Sequence, residues 1–322
     1  MNKMKLEQFK NKDKIVFKEK FVEHYSKLTD FEEFKKYSLS FLRRSIRVNT
    51  LKADVADIKK KLSKEWNLTQ IPWCKEGFWI EHKGEGEEQR RDIGNLIEHN
   101  LGFIYVQEAA SMIPPVVLDP QPGELVLDMC ASPGSKTTQI AQYMENKGIL
   151  VANDRIYQRM QALGINVQRC GITNIVMTQM DGLWFKDIQF DRILLDAPCS
   201  GTGTIRKSLK TLLMWNLEGI KRLASMQRRL IDKSFTLLKP GGVLVYSTCS
   251  NEPDENEAVV NWLLEKYDNA IVEPIKLDIK HKGTILEFEG IKYNPQVKNC
   301  LRLWPQDNDT EGFFIAKIRK KN

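Results

Sequence analysis

Two cysteines stand at the ends of apolar runs in this 322-residue chain. Ile193, Leu194 and Leu195 lead into Asp196, Pro198 and Cys199, and Val243, Leu244 and Val245 lead into Thr248 and Cys249. Short runs rich in branched residues and bounded by Gly and Pro read as buried strands of a parallel sheet. Ligands of such sheets lie beyond the carboxyl ends of the strands. Both thiols and Asp196 are therefore expected on one sheet edge. A buried strand-end cysteine is by default an inert small hydrophobe. A pair of them beside an acid, on the edge where ligands sit, suggests covalent chemistry. C5 of a cytosine is too weak a nucleophile to accept a methyl group unaided. Addition of a thiolate to C6 makes C5 enamine-like, which splits one hard step into two. The thiolate needs nearby positive charge or N–H donors, and a second group must remove the C5 proton. Asp196 could hold the N3/N4 edge of the pyrimidine. No histidine lies near either motif in sequence, which disfavours a His-assisted hydrolase.

A second constellation lies upstream. The loop Cys130-Ala131-Ser132-Pro133-Gly134-Ser135-Lys136 opens a helix after an apolar strand. It is not a phosphate loop of the form GxxxxGK[ST], because Met129 stands where the first Gly belongs, and no GxGxxG is present. Small residues at a helix start let a ligand approach backbone N–H groups. S-adenosylmethionine suits that loop, its carboxylate meeting the helix N-terminus or Lys136. Asp128, Asp154, Asp181 and Asp196 end four successive apolar runs. A lone terminal Asp is usually a cap, but four on one edge suggest ligand contacts: Asp154 to ribose hydroxyls, Asp181 to an adenine amine. Arg159, five residues after Asp154, could also reach the cofactor.

These residues need a scaffold. From Gln107 onward, strand and helix patterns alternate, which implies a parallel, doubly wound α/β sheet. Strands are expected at 123–130, 148–155, 174–182, 190–196 and 243–250, with closing strands in 271–318, the last at 313–318. Helices are expected after 135, over 217–238 (ended by Pro240-Gly241-Gly242) and over 254–267. Pro114 and Pro115 should interrupt a short helix over 107–120. Upstream, residues 1–40 show two amphipathic helices and 53–65 a third, with Val55, Ile58 and Leu62 inward. Strands follow within 66–82, then a polar exposed loop over 83–92. The boundary falls between 95 and 108. This gives a small α+β module (1–105) and a sheet domain (106–322).

Composition narrows the class. Hydrophobic residues make up 42% and charged residues 28%, as in a soluble globular protein. No apolar run reaches about 18 residues, so no membrane span is expected, and the first residues have no apolar core of a secretory signal. A cytoplasmic location is the expectation. None of the six cysteines forms a CxxC pair and the four histidines lie far from them, so neither a zinc site nor a disulfide framework is expected. The net charge is +7, and residues 204–239 carry nine basic against two acidic residues. A polyanion such as RNA would profit from that cluster.

Several segments together resemble a known family. DMCASPGSKTTQ (128–139), LLDAPCSGTGTIRK (194–207) and VYSTCSNEPDENEAVV (245–260) are similar to the hallmark motifs of the Nop/Sun family of RNA 5-methylcytosine methyltransferases. RVNTLK (47–52), QEAASM (107–112) and RLWP…GFFIAK (302–317) extend the likeness over nearly the whole chain from about residue 40. The family's common Pro-Gly-Gly-Lys loop is Pro-Gly-Ser-Lys here. The resemblance implies a Rossmann-like S-adenosylmethionine-dependent fold with a mostly parallel seven-stranded sheet and an RNA-binding N-terminal domain. It implies that Cys249 attacks C6 and that Cys199 helps release the product. It also implies that Cys130–Lys136, Asp154, Asp181 and Asp196 hold the cofactor. The substrate implied is RNA: tRNA by likeness to archaeal tRNA enzymes, ribosomal RNA as the alternative. Two other readings remain. A methyltransferase for a non-nucleic substrate needs neither the paired thiols nor the basic cluster. A non-enzymatic RNA-binding module would have lost cofactor binding.

Overall fold

The computed structural model describes residues 6–84 and 90–322. The middle of the polar loop expected over 83–92 lies outside the described residues.

The first half opens with helices α1 (Glu19–Ser26) and α2 (Phe31–Ser38). Strand β1 (Ser45–Val48), helix α3 (Val55–Leu62), strands β2 (Trp66–Gln70) and β3 (Gly77–His82), helix α4 (Ile97–Asn100) and strand β4 (Ile104–Val106) follow. Side chains fix the helix starts: Asp30 accepts from Glu33 N, and Asp54 accepts from Ala56 N and Asp57 N. The four strands form one sheet in the order β2-β3-β1-β4. Ile58 and Leu62 of α3 pack on it with Ile46, Val48, Trp66, Phe78 and Ile80, while Val55 is only partly buried.

The second half contains helix α5 (Ile113–Leu118), strand β5 (Leu125–Asp128), helix α6 (Ser135–Tyr143), strand β6 (Ile149–Asn153), helix α7 (Tyr157–Cys170), strand β7 (Ile175–Thr178) and strand β8 (Phe190–Asp196). Helices α8 (Lys210–Met214) and α9 (Leu217–Thr236), strand β9 (Leu238–Thr248), helix α10 (Glu257–Lys266) and strand β10 (Ala270–Glu273) come next. The chain closes with the small hairpin β11 (Glu287–Phe288) and β12 (Ile291–Lys292), strand β13 (Leu301–Leu303), helix α11 (Pro305–Asn308) and strand β14 (Phe313–Lys320). The main sheet has the order β10-β14-β9-β8-β5-β6-β7, with β13 added beside β14. Strands β5 to β9 run parallel, β14 is antiparallel to β9, and β10 is antiparallel to β14 and so points the same way as β9. Seven strands thus run in one path, mostly parallel, and α/β is the fold class.

Both sheet faces are covered. Val126, Leu194, Val243 and Val245 face one core; Leu127, Ile193, Leu195, Leu244 and Tyr246 face the other. Such double burial explains the near-continuous apolar runs.

Three local expectations are corrected. Pro114 and Pro115 begin α5 rather than interrupt it, because the first turn of a helix needs no N–H from those positions. Helix α9 stops at Thr236, and Pro240-Gly241-Gly242 belongs to β9, as an irregularity between the pairings Phe190↔Leu238 and Arg192↔Val243. Gly241 has φ +76° there, which a residue with a side chain rarely adopts. Strand β7 ends at Thr178, not Gly182, because Asn153 Oδ1 takes Met180 N out of the ladder and Asp181 caps a turn at Leu183 N.

Helices α1 and α2 pack away from the first sheet. Phe21, Tyr25 and Phe34 join Ile205, Leu212, Trp215, Ile220 and Trp304 in one aromatic cluster.

Candidate active site

Strands β8 and β9 are neighbours in parallel register, with Asp196 opposite Ser247. Their carboxyl ends therefore deliver Cys199 and Cys249 to the same place. The two sulfurs are 3.4 Å apart, and both cysteines are free and partly exposed. The pair sits at the ligand edge of the sheet, as the sequence implies. The Cys199 thiol is held well above its ordinary pKa, first by its hydrogen bond to Cys249 and then by burial. It therefore stays protonated at neutral pH.

The loops behind the sulfurs are locked by residues that sequence reasoning did not single out. Ser200 and Ser250, each directly after a cysteine, have hydroxyls 3.1 Å apart. Both donate to the carboxylate of Glu255, which also accepts from Ser200 N and from Gln227 Nε2, each at 2.9 Å. Burial pushes the Glu255 carboxyl up, and the bonds from Ser200, Ser250 and Gln227 pull it back. Gly203 N donates to Cys249 O at 2.9 Å. Glu252, three residues past Cys249, is fully buried. It takes His24 Nε2 and Tyr25 Oη at 2.7 Å each and Trp215 Nε1 at 3.0 Å. The only signal for these acids was their place in the segment SNEPDENE.

Lys136 and Asp196 form the polar wall beside the sulfurs. Lys136 Nζ is 2.8 Å from Asp196 Oδ2, and Ser247 Oγ donates to Asp196 Oδ1 at 2.8 Å. Burial lowers the Lys136 pKa, but Asp196 outweighs it, with a further contribution from the nearby Cys249, so the net shift is upward. Lys136 is thus a fixed cation beside the sulfur pair, 5.3 Å from the centre of the Phe313 ring. Further in, burial and the neighbouring Glu311 push Glu108 up to about 8.

The small-residue loop opens α6 as expected. Gly134 is its N-cap residue with φ +108°, and a Cβ there would come 2.9 Å from Leu163 Cδ1. Ala131, Ser132 and Gly134 are buried, Cys130 and Ser135 partly so, and Pro133 exposed. Burial pushes the Cys130 thiol up. Asp128 takes Thr137 Oγ1 at 2.7 Å through Oδ2, while Oδ1 is buried without a partner. Burial pushes its carboxyl up to about 7. An unpaired buried acceptor beside a left-handed glycine loop fits a ligand that brings a cationic amine, so these residues fit S-adenosylmethionine.

The remaining acids are partly engaged within the protein. Asp154 accepts from Ser132 N at 3.3 Å and Ile156 N at 3.0 Å. Arg159 turns back onto that loop: Nη1 is 3.4 Å from Asp154 Oδ2, and Nη2 donates to Ser132 O. Asp181 caps Leu183 N at 3.0 Å, with Arg155 at 3.8 Å.

The basic segment 204–239 is less uniform than its composition suggests. Lys207, Lys210, Lys221, Arg222 and Arg229 are exposed. Arg206 is buried, with Asp309 at 2.6 Å and Phe41 O at 2.7 Å. Lys239 is paired with Asp191 at 2.7 Å.

The first sheet is tied to the start of α6 by Arg47 of β1, which is fully buried. It donates to Gln107 Oε1 at 2.6 Å, Ser135 O at 2.9 Å, Gln139 Oε1 at 3.2 Å and Thr138 Oγ1 at 2.9 Å. Among the described residues no cluster of metal-ligating side chains is found, and no helix is long and apolar enough to cross a membrane.

Known proteins share this architecture. A family model described as 16S rRNA methyltransferase RsmB/F matches residues 115–319, and one described as the N-terminal domain of 16S rRNA methyltransferase RsmF matches residues 17–109. The chain is 50% identical over 317 residues to a Pyrococcus abyssi protein named tRNA (cytosine(49)-C(5))-methyltransferase, covering 98% of each. It is 46% identical over 286 residues to Ribosomal RNA small subunit methyltransferase F of Klebsiella pneumoniae, covering 87% of this chain but 57% of that protein. A Pyrococcus horikoshii structure described as NSun6 with SFG, an S-adenosylmethionine analogue, superposes with TM-score 0.81 at 26% identity, over 95% of this chain and 99% of that one.

Proposed function

The chain belongs to the RsmB/F methyltransferase family, and on that footing we propose that it transfers the methyl group of S-adenosylmethionine to C5 of a cytosine in tRNA. The family is one of S-adenosylmethionine-dependent RNA cytosine-5 methyltransferases. The observation that carries the assignment of roles is the 3.4 Å separation of Cys199 and Cys249 sulfurs beside the Lys136–Asp196 pair.

In this reading Cys249 is the nucleophile. Its thiolate, formed near the Lys136 cation, adds to C6 of the flipped cytosine and makes C5 electron-rich. Asp196 and Lys136 hold the N3/N4 edge and balance the charge that develops on the ring. The bound cofactor supplies an electrophilic methyl group. C5, made nucleophilic by the thiolate, would accept that methyl, leaving S-adenosylhomocysteine as the by-product. Loss of the C5 proton to a base then restores the double bond as the C6–S bond breaks. Cys199, protonated and in contact with Cys249, helps this release. Cys130–Lys136, Asp128, Asp154 and Asp181 form the cofactor cradle, with Arg159 bracing it. Residues 1–105 help hold the RNA and 106–322 hold the chemistry, in a cytoplasmic enzyme.

The tRNA preference rests on the P. abyssi relative, matched over almost its whole length. The ribosomal reading is favoured by the 46% identity to the bacterial F enzymes, of which this chain spans just over half. Bisulfite sequencing of tRNA and ribosomal RNA after incubation with the protein and S-adenosylmethionine tests both. A new protected cytosine in tRNA is expected. Protection only in ribosomal RNA moves the assignment to that substrate, and protection in neither removes it.

A further inference from the structure

Between the Cys199 loop and α9 lies the single turn α8. Its inward residue Leu212 and the following Trp215 are buried in the aromatic cluster with Phe21, Tyr25 and Trp304. With that face anchored, Leu213 and Met214 each stand 75% exposed, flanked by Leu209 and Leu217 at 36% and 39%. Lys207, Lys210, Lys221 and Arg222 surround them in sequence and are exposed. Glu218 is the only acid from 204 to 231. Exposed apolar side chains clustered in this way mark an interaction surface.

The turn is also coupled to the nucleophile loop. Trp215 Nε1 donates to Glu252, three residues past Cys249, and Lys18 Nζ bonds Leu213 O at 3.2 Å. Leu213 and Met214 therefore sit on a turn whose next residue, Trp215, is hydrogen-bonded to the segment following Cys249.

An apolar point flanked along the chain by exposed basic residues suits a partner with negative charge outside and an apolar slot within. A base-paired nucleic acid losing one base offers both: phosphates on either side, and a gap between stacked neighbours. A cytosine in a helix must leave its stack before Cys249 can reach C6, and unstacking carries a cost that a filled gap offsets. We propose that Leu213 and Met214 are a wedge that enters the RNA stack where the target cytosine leaves it, with Lys207 and Lys210 on the flanking phosphates. This rests on the RNA methylation reading and adds a surface to it.

The test uses the full chain, its double variant Leu213→Ser/Met214→Ser and the swap Leu213→Met/Met214→Leu. Substrates are unmodified tRNA transcripts whose methylated cytosine has been located with the parent protein, and the same transcripts with a mismatch opposite that cytosine. The double variant is expected to lose roughly ten-fold or more in kcat/KM on the paired substrate, and much less on the mismatched one, whose base leaves the stack cheaply. The swap keeps the apolar tips and should retain activity on the paired substrate. Equal losses on both substrates, no loss on the paired one, or a target that is unpaired to begin with overturns the wedge. A parent protein that methylates neither RNA overturns the underlying function instead.

Discussion

The hydroxyls of Ser200 and Ser250 meet at 3.1 Å and share the carboxylate of Glu255. Each serine follows one of the two cysteines, so one buried acid sets the spacing of both sulfurs. Glu255→Gln keeps the shape but replaces a charged acceptor by an amide. The expected result is a fall in kcat of about 10²-fold, because misplacement on the order of 1 Å has that effect. S-adenosylmethionine affinity should stay near that of the parent. Steady-state kinetics with isothermal calorimetry separates the two, and loss of cofactor binding in step with kcat would refute a positioning role.

The sulfurs themselves are expected to part in function. Cys249→Ala should reduce methyl transfer to background, a loss of about 10⁴-fold or more for removal of a nucleophile. Cys199→Ala should instead accumulate RNA bound covalently to protein, seen as a shifted band on a denaturing gel. Retained turnover in the first variant, or free RNA alone in the second, reverses the assignment.

Arg47 joins the first sheet to the start of α6 through four acceptors. Arg47→Met fills much of the volume but leaves buried acceptors unsatisfied, at about 1–3 kcal/mol for each one that cannot rebond. A loss of roughly 3 kcal/mol in urea denaturation is expected, along with weaker cofactor binding, since Ser135 and Thr138 lie on α6, which follows the proposed cofactor loop. A variant as stable as the parent would show that the network relaxes without it.

Asp128 makes the ligand-free protein sensitive to pH. Its folded pKa of about 7 lies above the ordinary carboxyl value of 3.8 because burial disfavours the charge. Between those two values the folded state binds the proton and the unfolded state does not, so this group's contribution to stability falls as pH rises through the window. Asp128→Asn should flatten that part of the stability profile, measured by thermal melting across the same window. An unchanged slope would mean that the carboxyl titrates normally.

The sheet and the sulfur pair were legible because strand-forming runs and helical periods alternate cleanly from Gln107 onward. Asp196, Cys199 and Cys249 sit at the ends of such runs, and strand ends on a parallel sheet share an edge. Arg47 was hidden because a charged residue reads by default as surface, and nothing local announces its buried acceptors. Glu252 and Glu255 stand within a motif, but their partners come from loops and helices far away in sequence. Asp154, Asp181 and Arg159 look like ligand contacts from sequence alone; their bonds within the protein depend on tight turns that composition does not display. The amphipathic period of residues 19–38 revealed an apolar face but not its counterpart, which proved to be Trp215 and Trp304.

That counterpart bears on how such enzymes can be recombined. His24 and Tyr25, on the leading helix, supply two of the three side-chain bonds to an acid inside the loop of Cys249. A front end exchanged wholesale, in the laboratory or by gene fusion, would carry off part of the catalytic scaffold. An exchange that spares the machinery must leave α1 and α2 behind and keep Arg47 in the sheet that follows them.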